Sequence, residues 1–119
     1  MDAEGIRELF ADILPVRVRR LFGGLGVYDG ETIFALVFKG DIYLKISPAT
    51  LERFVAAGCR PFTYEARSRE RALGYWSLPD AALDDLDTLR IWTDLAREAA
   101  RQKASRLKLR GSRLRAPLR

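Results

Sequence analysis

Ile6, Leu9, Phe10 and Ile13 recur three and four residues apart, a spacing that lines one side of a helix. The chain is therefore expected to open with an amphipathic helix. Pro15 closes it, because proline lacks the backbone N–H that a continuing helix needs and restricts the residue before it. Val16, Val18 and Leu21 then begin an extended piece. Beyond the crowded glycines of GGLGVYDG, the stretch ETIFALVFKGDIYLKIS holds two apolar runs around KGD. That is a hairpin pattern, with Gly40 able to take the positive φ of a tight turn. SPATLERFVAAG reads as a short helix, capped by Ser47, started by Pro48 and stopped by Gly58. PFTYEA and RALGYWSLP, separated by RSRE, form a second hairpin pattern. Asp84, Asp85 and Asp87 gather ahead of a long helical repeat of Leu89, Trp92, Leu95 and Ala99. Acids at its start and bases at its end both favour the helix dipole.

The order is helix, strands, helix, strands, helix. Hairpins without helical crossovers imply a mainly antiparallel sheet, so the expected fold is α+β, a single domain with about three helices. A length of 119 residues fits one core. The expected division is a domain over residues 1–103 and a basic tail over 104–119.

Charge sharpens that division. All sixteen acidic residues lie at or before Glu98, against thirteen Lys and Arg in the same span. The body is thus mildly acidic. From Arg101 onward there are eight bases and no acid: Arg101, Lys103, Arg106, Lys108, Arg110, Arg113, Arg115 and Arg119. Such a sign split marks an interaction tail, although charge runs also serve only to solubilise. Lys103, Arg106, Arg110 and Arg113 fit one helical face, while RLKLR also alternates as a strand would, so the tail's conformation stays open. Leu107, Leu109 and Leu114 sit among these charges, consistent with a tail that folds on a partner or on the body.

The remaining chemistry is sparse. Gly23, Gly24 and Gly26 lead into strand-like residues and not into a helix, and no lysine–hydroxyl pair follows them. They match neither a P-loop nor a dinucleotide fingerprint, and are expected to turn the chain, with Gly23 or Gly24 at positive φ. The absence of histidine removes Ser-His-Asp and Cys-His sites and the usual zinc ligand sets. Cys59 stands alone and is expected to be a half-buried small apolar residue. The cluster of Asp80, Asp84, Asp85 and Asp87 lacks calcium-loop spacing and reads as helix capping. Phe34, Phe38, Tyr43, Phe62, Tyr64, Tyr75 and Trp76 fall on expected strands, where core packing is favoured over a base-stacking platform. No catalytic residue, metal site or cofactor is expected. The run IFALVF is too short to cross a bilayer, and the acidic N-terminus and single cysteine fit a reducing cytoplasm.

In combination, RRLFGGLGVYDGETIFALVFKGDIYLKIS, FVAAGCRPFTYEARSRERALGYWSLPDAALDD and the closing helix resemble the N-terminal domain of the TfoX/Sxy family of competence regulators. The resemblance spans Val16 to Arg101, with Leu21 where the family usually has methionine. It implies a compact α+β domain without known enzymatic activity. Full-length members are regarded as transcriptional coactivators that work with the cyclic-AMP receptor protein, and they carry a second helical domain where this chain has its basic tail. The positions most tied to the pattern are Arg19, Arg20, Gly23, Gly24, Tyr28, Lys45, Tyr64 and Trp76. Arg19 and Arg20 have no packing purpose legible in the sequence, so they join the tail as candidate partner-binding residues beside their reading as solvated edge charges. A regulatory domain with a protein partner, and a non-specific nucleic-acid binder acting through its tail, are both open at this stage. A small enzyme or ligand-binding protein is the least favoured reading; a homodimer is compatible with each.

Overall fold

This computed structural model describes the backbone of residues 2–21, 23–66 and 69–115, with side chains for all of these except 64–66, 69–73, 104 and 106–115. Helix α1 (Ala3–Phe10) starts where the Asp2 carboxylate accepts the Gly5 N–H at 2.9 Å, and it buries Ile6 and Phe10, one turn apart. Four strands follow: β1 (Arg17–Leu21), β2 (Gly24–Asp29), β3 (Thr32–Phe38) and β4 (Asp41–Lys45). After α2 (Leu51–Ala56) come β5 (Pro61–Ala66) and β6 (Arg69–Ser77), then the short α3 (Ala81–Asp84) and the long α4 (Leu86–Arg115). All neighbouring strands are antiparallel, in the order β1-β2-β3-β4-β6-β5.

The expected α+β class and both hairpins are borne out. At the KGD turn, Lys39 joins Gly40 at positive φ, 51° and 83°, so both central residues take the sign that a two-residue type I′ turn needs. Two expectations are corrected. Helix α2 begins at Leu51 and not beside Pro48, and its N-cap is Thr50 without a side-chain cap bond. Ser47 instead anchors a turn: its N–H donates to Thr50 Oγ1 at 3.0 Å, and its carbonyl accepts from Thr50 and Leu51. A fourth helix, α3, precedes α4 where about three helices were expected. Gly58 does end α2, at φ 78°, with the paired bonds Cys59 N–H to Phe54 and Gly58 N–H to Val55 of a Schellman cap.

The sheet buries both faces, by different means. On the helix side, one cluster joins Ile6 and Phe10 of α1, Phe54 of α2, Ala82 of α3 and Leu89, Ala96 and Ala100 of α4 to Val27, Phe34, Ala35, Val37, Ile42 and Leu44. A bulge makes this possible. The β2–β3 register shifts between Val27 and Tyr28, leaving Phe34 as an extra residue, so Phe34 and Ala35 both enter the same core despite being adjacent.

On the outer side, Leu36, Phe62 and Tyr75 are buried among Leu21, Ile33, Phe38 and Tyr43. Among the described residues, strand side chains alone make up that cluster. Three residues of β6, including Gly74 at φ 76°, lie opposite Phe62 alone, so the β5–β6 hairpin bends there. The bend brings the Phe62 ring 4.8 Å from Tyr43, across β6, and 5.6 Å from Phe38, across β6 and β4. The outer aromatics Phe38, Tyr43 and Phe62 thereby pack on one another. Tyr64 lies outside the described side chains.

Thr93 on α4 faces the helix-side core fully buried, and among the described residues its Oγ1 has no hydrogen-bond partner. Because an orphaned buried hydroxyl costs more than it contributes, Thr93→Val should stabilise the domain by about 1 kcal/mol. Urea unfolding of the two proteins measures this; a loss of stability would place a partner on that hydroxyl.

Candidate functional site

Helix α4 gives the basic segment its place. Asp85 caps it: one carboxylate oxygen accepts the Thr88 hydroxyl at 2.6 Å and the Thr88 N–H at 2.9 Å. The capping reading of the acidic cluster thus holds at Asp85, whereas Asp80 makes no side-chain cap bond to α3. The same two bonds, hydroxyl first, hold the Asp85 carboxyl below its ordinary range. A depressed carboxyl contributes stability above its unfolded pKa and loses it as pH falls through the folded value. Asp85→Ala should therefore lower the thermal midpoint at pH 7, and the gap from the parent should close below about pH 4. A gap unchanged between pH 7 and pH 3 would mean that the cap acts without its charge.

Further along, Arg97 ties α4 to the end of β2 through Nε to Asp29 Oδ2 at 3.1 Å, and reaches Asp94 at 3.3 Å. Small residues Ala96, Ala99 and Ala100 let the helix sit close over the sheet, and Ala100 is its last buried residue among those described. Arg101, Gln102, Lys103 and Ser105 are all exposed. The backbone nevertheless stays helical to Arg115, which makes residues 104–115 of the tail helical and carries α4 through position 103. At 30 residues it is about 45 Å long, against a longest molecular dimension of 55 Å.

Helical register sorts the basic positions. At about 100° per residue, Lys103, Arg106, Arg110 and Arg113 share an arc of about 80°, and Arg101, Lys108 and Arg115 lie opposite. Leu107 and Leu114 keep the phase of Leu89, Ala96 and Ala100. Arg119 falls outside the described residues. Among these, no helix is long and apolar enough to cross a membrane.

Arg19 and Arg20 are not gathered with this helix. They sit on β1, an edge strand, while α4 packs over β3 and β4. Arg19 lies 5.6 Å from the Tyr28 ring centroid and is otherwise exposed. Arg20 lines an open hollow with Asp2, Lys39 and the Gly23–Gly24 turn. Arg17, not singled out by sequence, pairs with Glu31 at 2.8 Å, too exposed to contribute much. These charges do blunt the edge against pairing with another strand.

Nucleophile chemistry is weak where the residue types allow it. Cys59 borders a cleft of about 180 Å³ between α2 and the end of β6, with Arg60 and Asp80. Burial pushes its thiol up, Ser77 partly opposes this by a hydrogen bond, and Asp80 adds to the rise. The thiol stays protonated at neutral pH and packs beside the core, as the sequence implied. What sequence did not single out is Lys45 as a buried residue. The alternation of DIYLK turns it outward, where Tyr75 of the bent β5–β6 hairpin packs against its ammonium at 4.8 Å.

No curated protein matches the chain. A family model described as TfoX N-terminal domain matches residues 8–100, so the match ends at the last buried residue of α4 among those described and leaves the basic segment beyond it. With most of its length matched, and the matched span folded as one helix-covered sheet, the chain belongs to the TfoX N-terminal domain family.

Proposed function

We propose that this protein is a non-enzymatic regulatory domain of transcription, acting through protein contacts, whose basic helix engages nucleic acid. The observation that carries the reading is the continuation of α4 past Ala100 as a helix with seven bases and no acid between Arg101 and Arg115. A helix of like charges repels itself, and a polyanion relieves that repulsion while releasing its own counterions. Family membership supports the regulatory part, with a protein partner of the kind represented by the cyclic-AMP receptor protein. The contacts would be to phosphates, which position a protein on a duplex without reading its bases.

If four to six of the bases meet phosphates, log K should fall with log salt at a slope of about −4 to −5. A DNA titration at several salt concentrations tests this, comparing the full chain with one ending at Ala100 and with Arg106, Arg110 and Arg113 changed to Gln. The triple variant should flatten the slope by about 3. Equal binding by the full and shortened chains, or no binding at low salt, would reject the helix as a nucleic-acid contact and leave protein partners alone.

A further inference from the structure

Ile91 is 57% exposed, the most exposed large apolar side chain among the described residues, and it lies midway along the sheet-covering half of α4. Asp87, Asp94 and Glu98, three and four residues apart from it and from one another, are exposed as well. Asp94 accepts from Arg97 Nη1 at 3.3 Å and remains largely solvated. At about 100° per residue, positions 87, 91, 94, 98, 102, 105 and 109 fall within an arc of about 80°. That arc is centred opposite Leu89, Ala96 and Ala100, so it is the outer face of the helix. A shallow groove lined by Glu98, Arg101, Gln102 and Ser105 continues it past the last buried turn.

Charge changes sign along this one face. Its first half carries Asp87, Asp94 and Glu98; in its second half Arg101 flanks the arc on one side, and Arg106 and Arg113 flank it on the other. Laid parallel against a second α4, like halves would meet and repel. Laid antiparallel and meeting near residue 100, each acidic half would lie along a basic half. The register that sets the apolar position 91 level with 109 also sets Asp94 level with 106 and Asp87 level with 113. Each sheet lies on the far side of its own helix, so the two bodies would stand at opposite ends and on opposite sides without collision.

We propose that the outer face of α4 pairs antiparallel with the same face of a second copy of this chain, acidic half against basic half, as a two-fold symmetric dimer. The pairing stands whether or not the basic segment also engages nucleic acid.

Sedimentation of the full chain, treated with nuclease, should show a dimer whose Kd rises by about tenfold or more between about 0.05 M and about 0.5 M sodium chloride. Ile91→Glu, an exposed substitution, should keep the parent's urea midpoint and sediment as a monomer. Charge reversal gives a stricter test. A chain with Asp87→Lys, Asp94→Lys and Glu98→Lys, and another with Arg101→Glu, Arg106→Glu and Arg113→Glu, should each be monomeric alone and dimerise when mixed. For direction, Ile91→Cys and Leu109→Cys chains, each also carrying Cys59→Ala, should be joined to each other by a short bismaleimide. A monomer at low salt, a dimer that survives Ile91→Glu, no dimer from the charge-reversed mixture, or cross-linking of position 91 to itself in place of 109 would each overturn the proposal.

Discussion

Replacing Gly24 with alanine is expected to cost about 3 kcal/mol of folding free energy, near the top of what overpacking does. Gly24 opens β2 beside the end of β3, and an added Cβ would overlap the Val37 carbonyl oxygen, with Phe38 at 3.2 Å behind it. A backbone atom inside a ladder cannot swing aside as a side chain does, so the two strands must separate locally. Gly23, its neighbour, has open space around it but sits at φ 80°. Alanine there costs only the left-handed backbone conformation, about 1–2 kcal/mol. Urea unfolding of both variants separates the two causes. Equal, small losses would show that the hairpin relaxes away from the contact.

Phe34→Ala should cost about 4 kcal/mol, the usual range for emptying a core of a phenyl ring. Phe34 is fully buried, and its ring meets Phe10 edge to face, centroids 5.7 Å apart at 85°. It is also the bulged residue of β3, so its loss removes the reason for the irregular register. Phe10→Ala should be comparably costly. Because the two rings share one contact, the double variant should fall short of the summed losses by about 1 kcal/mol. Strict additivity would show that each ring packs independently.

Much of this architecture is legible in the sequence because local signals agree there. Two apolar runs around KGD, Gly58 behind a helical run and Asp85 three residues ahead of Thr88 each act within a few residues of chain. Helix α2 misleads because Ser47 and Thr50 are both cap types, and their mutual bonding makes a turn before the helix begins. The Phe34 bulge is invisible to a two-residue alternation, which has no term for an inserted residue. Nor does DIYLK reveal that Lys45 is buried, since that depends on a hairpin some thirty residues later bending at Gly74. For the candidate site, the list of basic residues could be read directly from the chain. Their common scaffold could not, because RLKLR alternates as a strand would; extending the existing α4 needs no new costly nucleus.

The unbroken run of α4 puts the body and its basic segment in one helical phase. Helical geometry relates positions 106 and 110 to the sheet beneath Ala96, so their azimuth on the helix follows from counting residues. One residue added between Ala100 and Lys103 would swing every later base by about 100°, while four would nearly restore it. A partner that grips both the domain and the helix would therefore read a spacing, and evolution of this segment would be constrained in length more tightly than in composition.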